Sequence, residues 1–130
     1  MRFACCLLLL VACGEEPGPS CPPLAAQCST QYEPVFEQVY SNTLARSCGV
    51  GGSSCHAAAG AQGDLVLDDI DSAHAQLLLN ERVLPGDAAC SMLIQRLDHA
   101  DPARVMPPGA KLSASEICSV RRWIEAGAQR

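Results

Sequence analysis

Apolar and polar positions change rhythm several times along the chain, and each change marks an element. After Met1-Arg2 comes a nearly unbroken apolar run, Phe3 to Ala12, too short to cross a bilayer as a stable helix but long enough for the apolar region of an export signal. Gly14 to Ser20 is polar and rich in Gly and Pro, the pattern of a flexible spacer. From Tyr32 to Arg46, Val35, Phe36, Val39, Tyr40 and Leu44 return at helical intervals, and Pro34 suits the first turn of such a helix. A Gly/Ser loop runs from Ser47 to His56, small residues fill Ala57 to Gly63, and Leu65-Val66-Leu67 is a brief extended run. Asp71 or Ser72 is placed to cap a short helix ending at Leu79. In the turn Pro85-Gly86-Asp87, Asp87 is placed to cap a helix bearing Met92, Leu93, Ile94 and Leu97. Asp101 to Lys111 is irregular. The last helix is the best delimited: Ser113-Ala114-Ser115-Glu116 fits a capping box, Ile117, Val120 and Ile124 make one stripe, and Gly127 closes it. The pattern predicts a mainly α domain with long loops and no internal repeat.

With 130 residues the chain has room for one domain at most. Leu10-Val11-Ala12-Cys13 resembles the lipobox of bacterial lipoproteins, which implies cleavage before Cys13 and a diacylglycerol on its sulfur; an ordinary cleaved signal with free secretion is the alternative. The expected organisation is a signal peptide at 1–12, a lipidated cysteine and tether at 13–31, and a domain at 32–130. The expected location is a bacterial membrane, on its periplasmic or surface side. Gly14 stands where inner-membrane retention is associated with aspartate, which leans toward the outer membrane. Formal charge is −5, and losing Arg2 with the signal makes it more negative, so no basic patch exists for nucleic acid.

Cysteine usage changes the picture most. Of nine cysteines, Cys5 and Cys6 leave with the signal and Cys13 takes lipid. Six remain, an even number in an exported small domain, which implies a covalent framework. The mature chain has only Tyr32, Phe36, Tyr40 and Trp123 as aromatics. A small domain so poor in large side chains needs disulfides or a cofactor for part of its stability.

Cys48, Cys55-His56 and Met106 are the residue types of a c-type haem site. Two thiols add across porphyrin vinyl groups, a histidine next to the second cysteine reaches the iron, and a methionine on a later loop completes the other face and favours electron transfer. Pro107 and Pro108 would stiffen the loop presenting Met106. More widely, the order Cys48 to His56, Gly63-Asp64-Leu65-Val66-Leu67, Pro85-Gly86-Asp87, Met106-Pro107-Pro108-Gly109, Leu112-Ser113 and Trp123-Ile124-Glu125-Ala126-Gly127-Ala128 resembles the cytochrome c-like domains of planctomycete and myxobacterial exported proteins. The resemblance covers residues 34–128. It implies a small helical domain around a central pocket, a first and last helix that pack with Phe36 or Tyr40 near Trp123, and a membrane-anchored monohaem cytochrome passing single electrons to a redox partner. Cys48 and Cys55 would attach haem c, with His56 proximal and Met106 distal.

One departure stands against this. The usual motif has two residues between its cysteines, whereas Gly49 to Ser54 supply six. A glycine-rich bulge can bring both sulfurs to the ring. Equally, Cys48 and Cys55 can form a disulfide, giving a haem-free, disulfide-stapled surface lipoprotein that acts as a structural or binding module. The family usually places small or apolar residues where this chain has Cys90 and Cys118, which suggests a Cys90–Cys118 disulfide between helices; Cys21 and Cys28 would then pair locally in the tether.

Other chemistry finds less support. Zinc at Cys48, Cys55 and His56 has the wrong spacing and an oxidising location. His74 and His99 read as solvated surface histidines, either of which could replace Met106 as an iron ligand. Asp64, Asp68, Asp69 and Asp71 lack the glycine and terminal glutamate of a calcium loop and read as helix capping and solvation. No serine-histidine-acid order, phosphate loop or paired-carboxylate pattern occurs, so no enzyme is expected.

Overall fold

The computed structural model describes residues 21–49 and 55–130. The segments read as a signal and lipobox, with Cys13, and most of the loop between Cys48 and Cys55 lie outside the described residues.

The first helical stretch begins as α1, Phe36–Val39, and continues without a break as a π-helical segment, Tyr40–Cys48. It starts later than the apolar rhythm predicts, so Pro34 precedes the helix instead of sitting in its first turn. A short 3-10 turn, Gln62–Asp64, leads to the unpaired extended run of Leu65 to Leu67. Then follow α2 (Ile70–Leu79), α3 (Met92–Leu97) and α4 (Ala114–Glu125). No strand forms among the described residues.

The caps show where local chemistry was misjudged. Asp69, not Asp71 or Ser72, caps α2: its carboxylate accepts from the backbone N–H groups of both those residues. This agrees with its pKa lying below the usual carboxylate value, chiefly through the hydrogen bond from Ser72 N–H. Asp87 accepts from the N–H of Cys90 and so caps the turn before α3, while Ser91 occupies the N-cap position of α3 itself. Ser113 caps α4 by accepting from Glu116 N–H. The glutamate half of the capping box does not form. The Glu116 carboxylate turns inward to Thr43 Oγ1 and Arg46 instead, and Tyr32 Oη joins the same chain through Thr43 at 2.5 Å.

α1 and α4 pack through Phe36 and Trp123, whose ring centroids are 5.1 Å apart. His74 meets Phe36 edge-on at 4.7 Å and shares a 2.9 Å hydrogen bond with Ala128 O, so it is a half-buried packing residue and not a solvated one. Arg130 lies over the other part of Phe36, 5.4 Å from its centroid, and pairs with Glu37 and Asp71. The α4 stripe is buried as expected, with Val120 and Ile124 fully enclosed, and Gly127 ends the helix at φ 101°.

Two disulfides staple this core, from the four cysteines assigned to structural bonds but in different pairs. Cys21 bonds to Cys90 and Cys28 to Cys118, in place of Cys90–Cys118 and Cys21–Cys28. The segment from Cys21 to Gln31, read from sequence as the end of a tether, is thereby fastened to α4 and to the turn before α3. Hydrogen bonds reinforce it: Gln31 N–H donates to Ser115 O and Ser119 Oγ, and Arg121 donates to Ala25 O.

Candidate functional site

A predominantly apolar cavity of about 310 Å³ opens between the π-helical segment, α2, α3 and the loop after α3. Leu44, Leu65, Leu67, Leu77, Leu93 and Leu97 form most of its wall, and Cys48, His56 and Met106 all face it. His56 and Met106 belong to loops far apart in the chain; the fold brings them to one space.

Each is held by backbone. Leu44 and Cys48 fall on one face of the π-helical segment, which closes with Gly49 N–H donating to Leu44 O at 2.9 Å. Such wide helical turns are rare and recur at functional sites. His56 N–H donates to Cys48 O at 3.1 Å, and His56 O accepts from Leu67 N–H at 2.6 Å. The first bond closes the chain at the base of the six-residue insertion and holds Cys48 and His56 adjacent. Gly49 is required here, since a Cβ would lie 2.9 Å from Leu67 O. On the far side, Met106 N–H donates to Arg96 O at 2.9 Å and ties the methionine loop to α3.

The electrostatics are those of a buried site with one unsatisfied polar atom. Burial pushes the Cys48 thiol up to about 11, with smaller contributions from Glu116 and Cys55, so at neutral pH it is a neutral thiol. Cys48 keeps its thiol, and no disulfide joins it to Cys55. Cys55 is half-buried and does not line the cavity. His56 Nδ1 is buried with no hydrogen-bond partner. A buried polar atom left so costs about 1–3 kcal/mol, and such an atom in a native fold calls for an explanation by a missing partner.

Among the described residues no group of three or more His, Cys, Asp or Glu side chains could hold a bare metal ion. His74 and His99 do not line the cavity: His74 packs on Phe36, and His99 Nδ1 accepts from Asp101 N–H. Sequence reasoning missed Arg82 and Arg96, which also line the cavity. Their signal was faint, lying in one arginine beside Val83 and another between Leu93 and Leu97 on an otherwise apolar helix.

Residues 53–109 match the family described as planctomycete cytochrome C. The matched stretch runs from just before Cys55-His56 to the end of Met106-Pro107-Pro108-Gly109 and supplies every lining residue of the cavity except Leu44 and Cys48. Neither the comparison with curated proteins nor that with solved structures finds a match. Residues 53–109 are thus similar in sequence to planctomycete cytochrome C, and this same stretch encloses most of the cavity.

Proposed function

We propose that this chain is a monohaem c-type cytochrome, anchored to a bacterial membrane through lipid at Cys13, that passes single electrons to a partner protein. The observation that carries the reading is the convergence of His56 and Met106, with the Cys48 thiol, on one apolar cavity.

The residues fit a haem on three counts. His56 Nδ1 is buried without a hydrogen-bond partner, a polar atom of the kind that a bound group accounts for. The thioether of Met106 supplies a second, softer donor on the same cavity. The leucine wall suits a flat apolar body, and the cavity volume lies near the lower end of the range for small-molecule sites.

Haem, when bound, supplies an iron that gains and loses one electron at low reorganisation. The protein's part is to bind and to tune. Cys48 and Cys55 would hold the ring through thioether bonds, each S–H adding across a vinyl double bond. His56 and Met106 would ligate the iron, a pair that raises the reduction potential relative to other ligand sets. Leu67 O, by accepting from Tyr40 Oη at 3.2 Å, and Leu67 N–H, by donating to His56 O, keep the Cys-His segment in place. The leucines exclude water, which also favours the less charged state of the iron.

A second reading is kept by one observation. Two disulfides and a closed aromatic core already hold the domain together, so it can fold as a haem-free binding or structural module. The absorption spectrum of the mature chain, produced in a periplasm equipped for cytochrome c maturation, separates the two. Bands of c-type haem that sharpen on reduction support the cytochrome; a colourless, folded protein supports the module.

A further inference from the structure

We infer that Arg82 and Arg96 form a carboxylate-recognising edge of the cavity, which selects a dicarboxylate tetrapyrrole over a neutral one and fixes which edge of it faces them. The inference rests on the haem reading above and adds a specificity device to it.

Among the described residues, Arg82 and Arg96 are the only charged ones lining the cavity, and no Asp or Glu does so. They come from separate elements, the turn after α2 and the last turn of α3, and both are partly buried. From residue 21 onward there are eight Lys and Arg, and five of them, Arg46, Lys111, Arg121, Arg122 and Arg130, meet a carboxylate. Arg82, Arg96 and Arg104 meet none among the described residues, although the chain carries 14 acidic residues against nine basic. Two of these three unpaired cations face the same apolar space.

Their side chains are nevertheless positioned. Arg82 donates to Gly63 O at 2.7 Å and to Gln76 O at 3.3 Å, and Arg96 donates to Arg104 O at 3.4 Å. A guanidinium has five N–H donors, so most remain for a ligand. Two planar cations at the edge of a leucine-lined cavity suit a ligand with an apolar body and two carboxylates, because guanidinium and carboxylate pair with matched geometry. The ring propionates of haem meet this description. Arg96 also couples the edge to the axial donor, since its own carbonyl holds Met106 N–H.

The test uses the full mature chain made without maturation enzymes, so that binding is reversible, and titrates it with ferric haem and with its dimethyl ester by the Soret band. The wild type should prefer the dicarboxylate. Replacing both arginines, Arg82→Gln with Arg96→Gln, should weaken dicarboxylate binding about tenfold to a hundredfold, in line with charge-assisted hydrogen bonds in a partly exposed site, while ester binding stays unchanged. Arg82→Lys with Arg96→Lys should recover part of the loss. Equal weakening towards both ligands would mean a structural role and would overturn the inference, as would no change. A wild type that binds haem and ester equally overturns it too, yet leaves the haem reading standing. A wild type that binds neither ligand removes both.

Discussion

The Cys21–Cys90 bond should carry about half of the stabilisation that the two disulfides provide, and its removal measures how the N-terminal segment is held. Alone, the bonds span 69 and 90 residues. Their loops overlap, however, so once one is formed the other closes a much shorter ring. That ring joins the Cys21 to Cys28 stretch, a separation of seven, to the Cys90 to Cys118 stretch, a separation of 28. For a ring of about 35 residues the chain-entropy relation gives about 4 kcal/mol, and for the first bond formed about 4.5 kcal/mol. Losing either bond should therefore cost about 4 kcal/mol, and losing both about 8 kcal/mol, as much as many domains have in total. The perturbation is Cys21→Ser with Cys90→Ser, chosen because both cysteines are half-exposed and the serines bury little polar surface. Urea unfolding of this variant should show the 4 kcal/mol loss, and its Tm should fall by about 15–30 °C. Cys28→Ser with Cys118→Ser should fall further, because Cys118 is 2% exposed and a serine there buries an extra hydroxyl. A loss below about 1 kcal/mol for the Cys21/Cys90 pair, or the reverse order of the two variants, would refute this reasoning.

Three further predictions concern the cavity. Stability of the haem-free chain should hold steady below about pH 9 and fall by about 3 kcal/mol as pH rises through 11, because burial keeps Cys48 protonated in the fold after the unfolded chain has lost its proton. Tyr32 and Tyr40, whose pKa values are also raised, add loss in the same direction, so the Cys48 share is what Cys48→Ala removes in urea titrations across pH. Gly49→Ala should destabilise by about 1–3 kcal/mol, since its Cβ would press on Leu67 O at 2.9 Å; denaturant melts check this. In the haem-loaded protein, Met106→Ala should leave the haem attached but lower its midpoint potential in a redox titration, and an unchanged potential would remove Met106 from the ligand set.

How much of this was legible beforehand depends on the range of each interaction. The α4 helix was readable because its stripe, its Ser113 cap and Gly127 are all local signals, and the Phe36–Trp123 contact followed from a family resemblance over residues 34–128. The joint placement of His56 and Met106 was readable for the same reason. The cap of α2 was missed by two residues because Asp69, Asp71 and Ser72 are all good caps, and only the observed backbone chooses among them. The inward turn of Glu116 was hidden because Thr43 and Arg46, its partners, lie some seventy residues away. The disulfide pairing was beyond the sequence for a similar reason: six cysteines allow fifteen pairings, and a local Cys21–Cys28 bond is as plausible in sequence as two long-range ones. Only the docking of residues 21–31 on α4 decides it. Arg82 and Arg96 lay unseen because a lone arginine near apolar neighbours usually extends its stem over them to reach water.

The most direct test of the account is the intact mass, under denaturing conditions, of the mature chain taken from a periplasm that makes c-type cytochromes. The account predicts one haem retained covalently on a chain with two disulfides, and its loss when Cys48 and Cys55 are both replaced by serine. A chain without haem, whose mass shows a third disulfide joining Cys48 and Cys55, would contradict it.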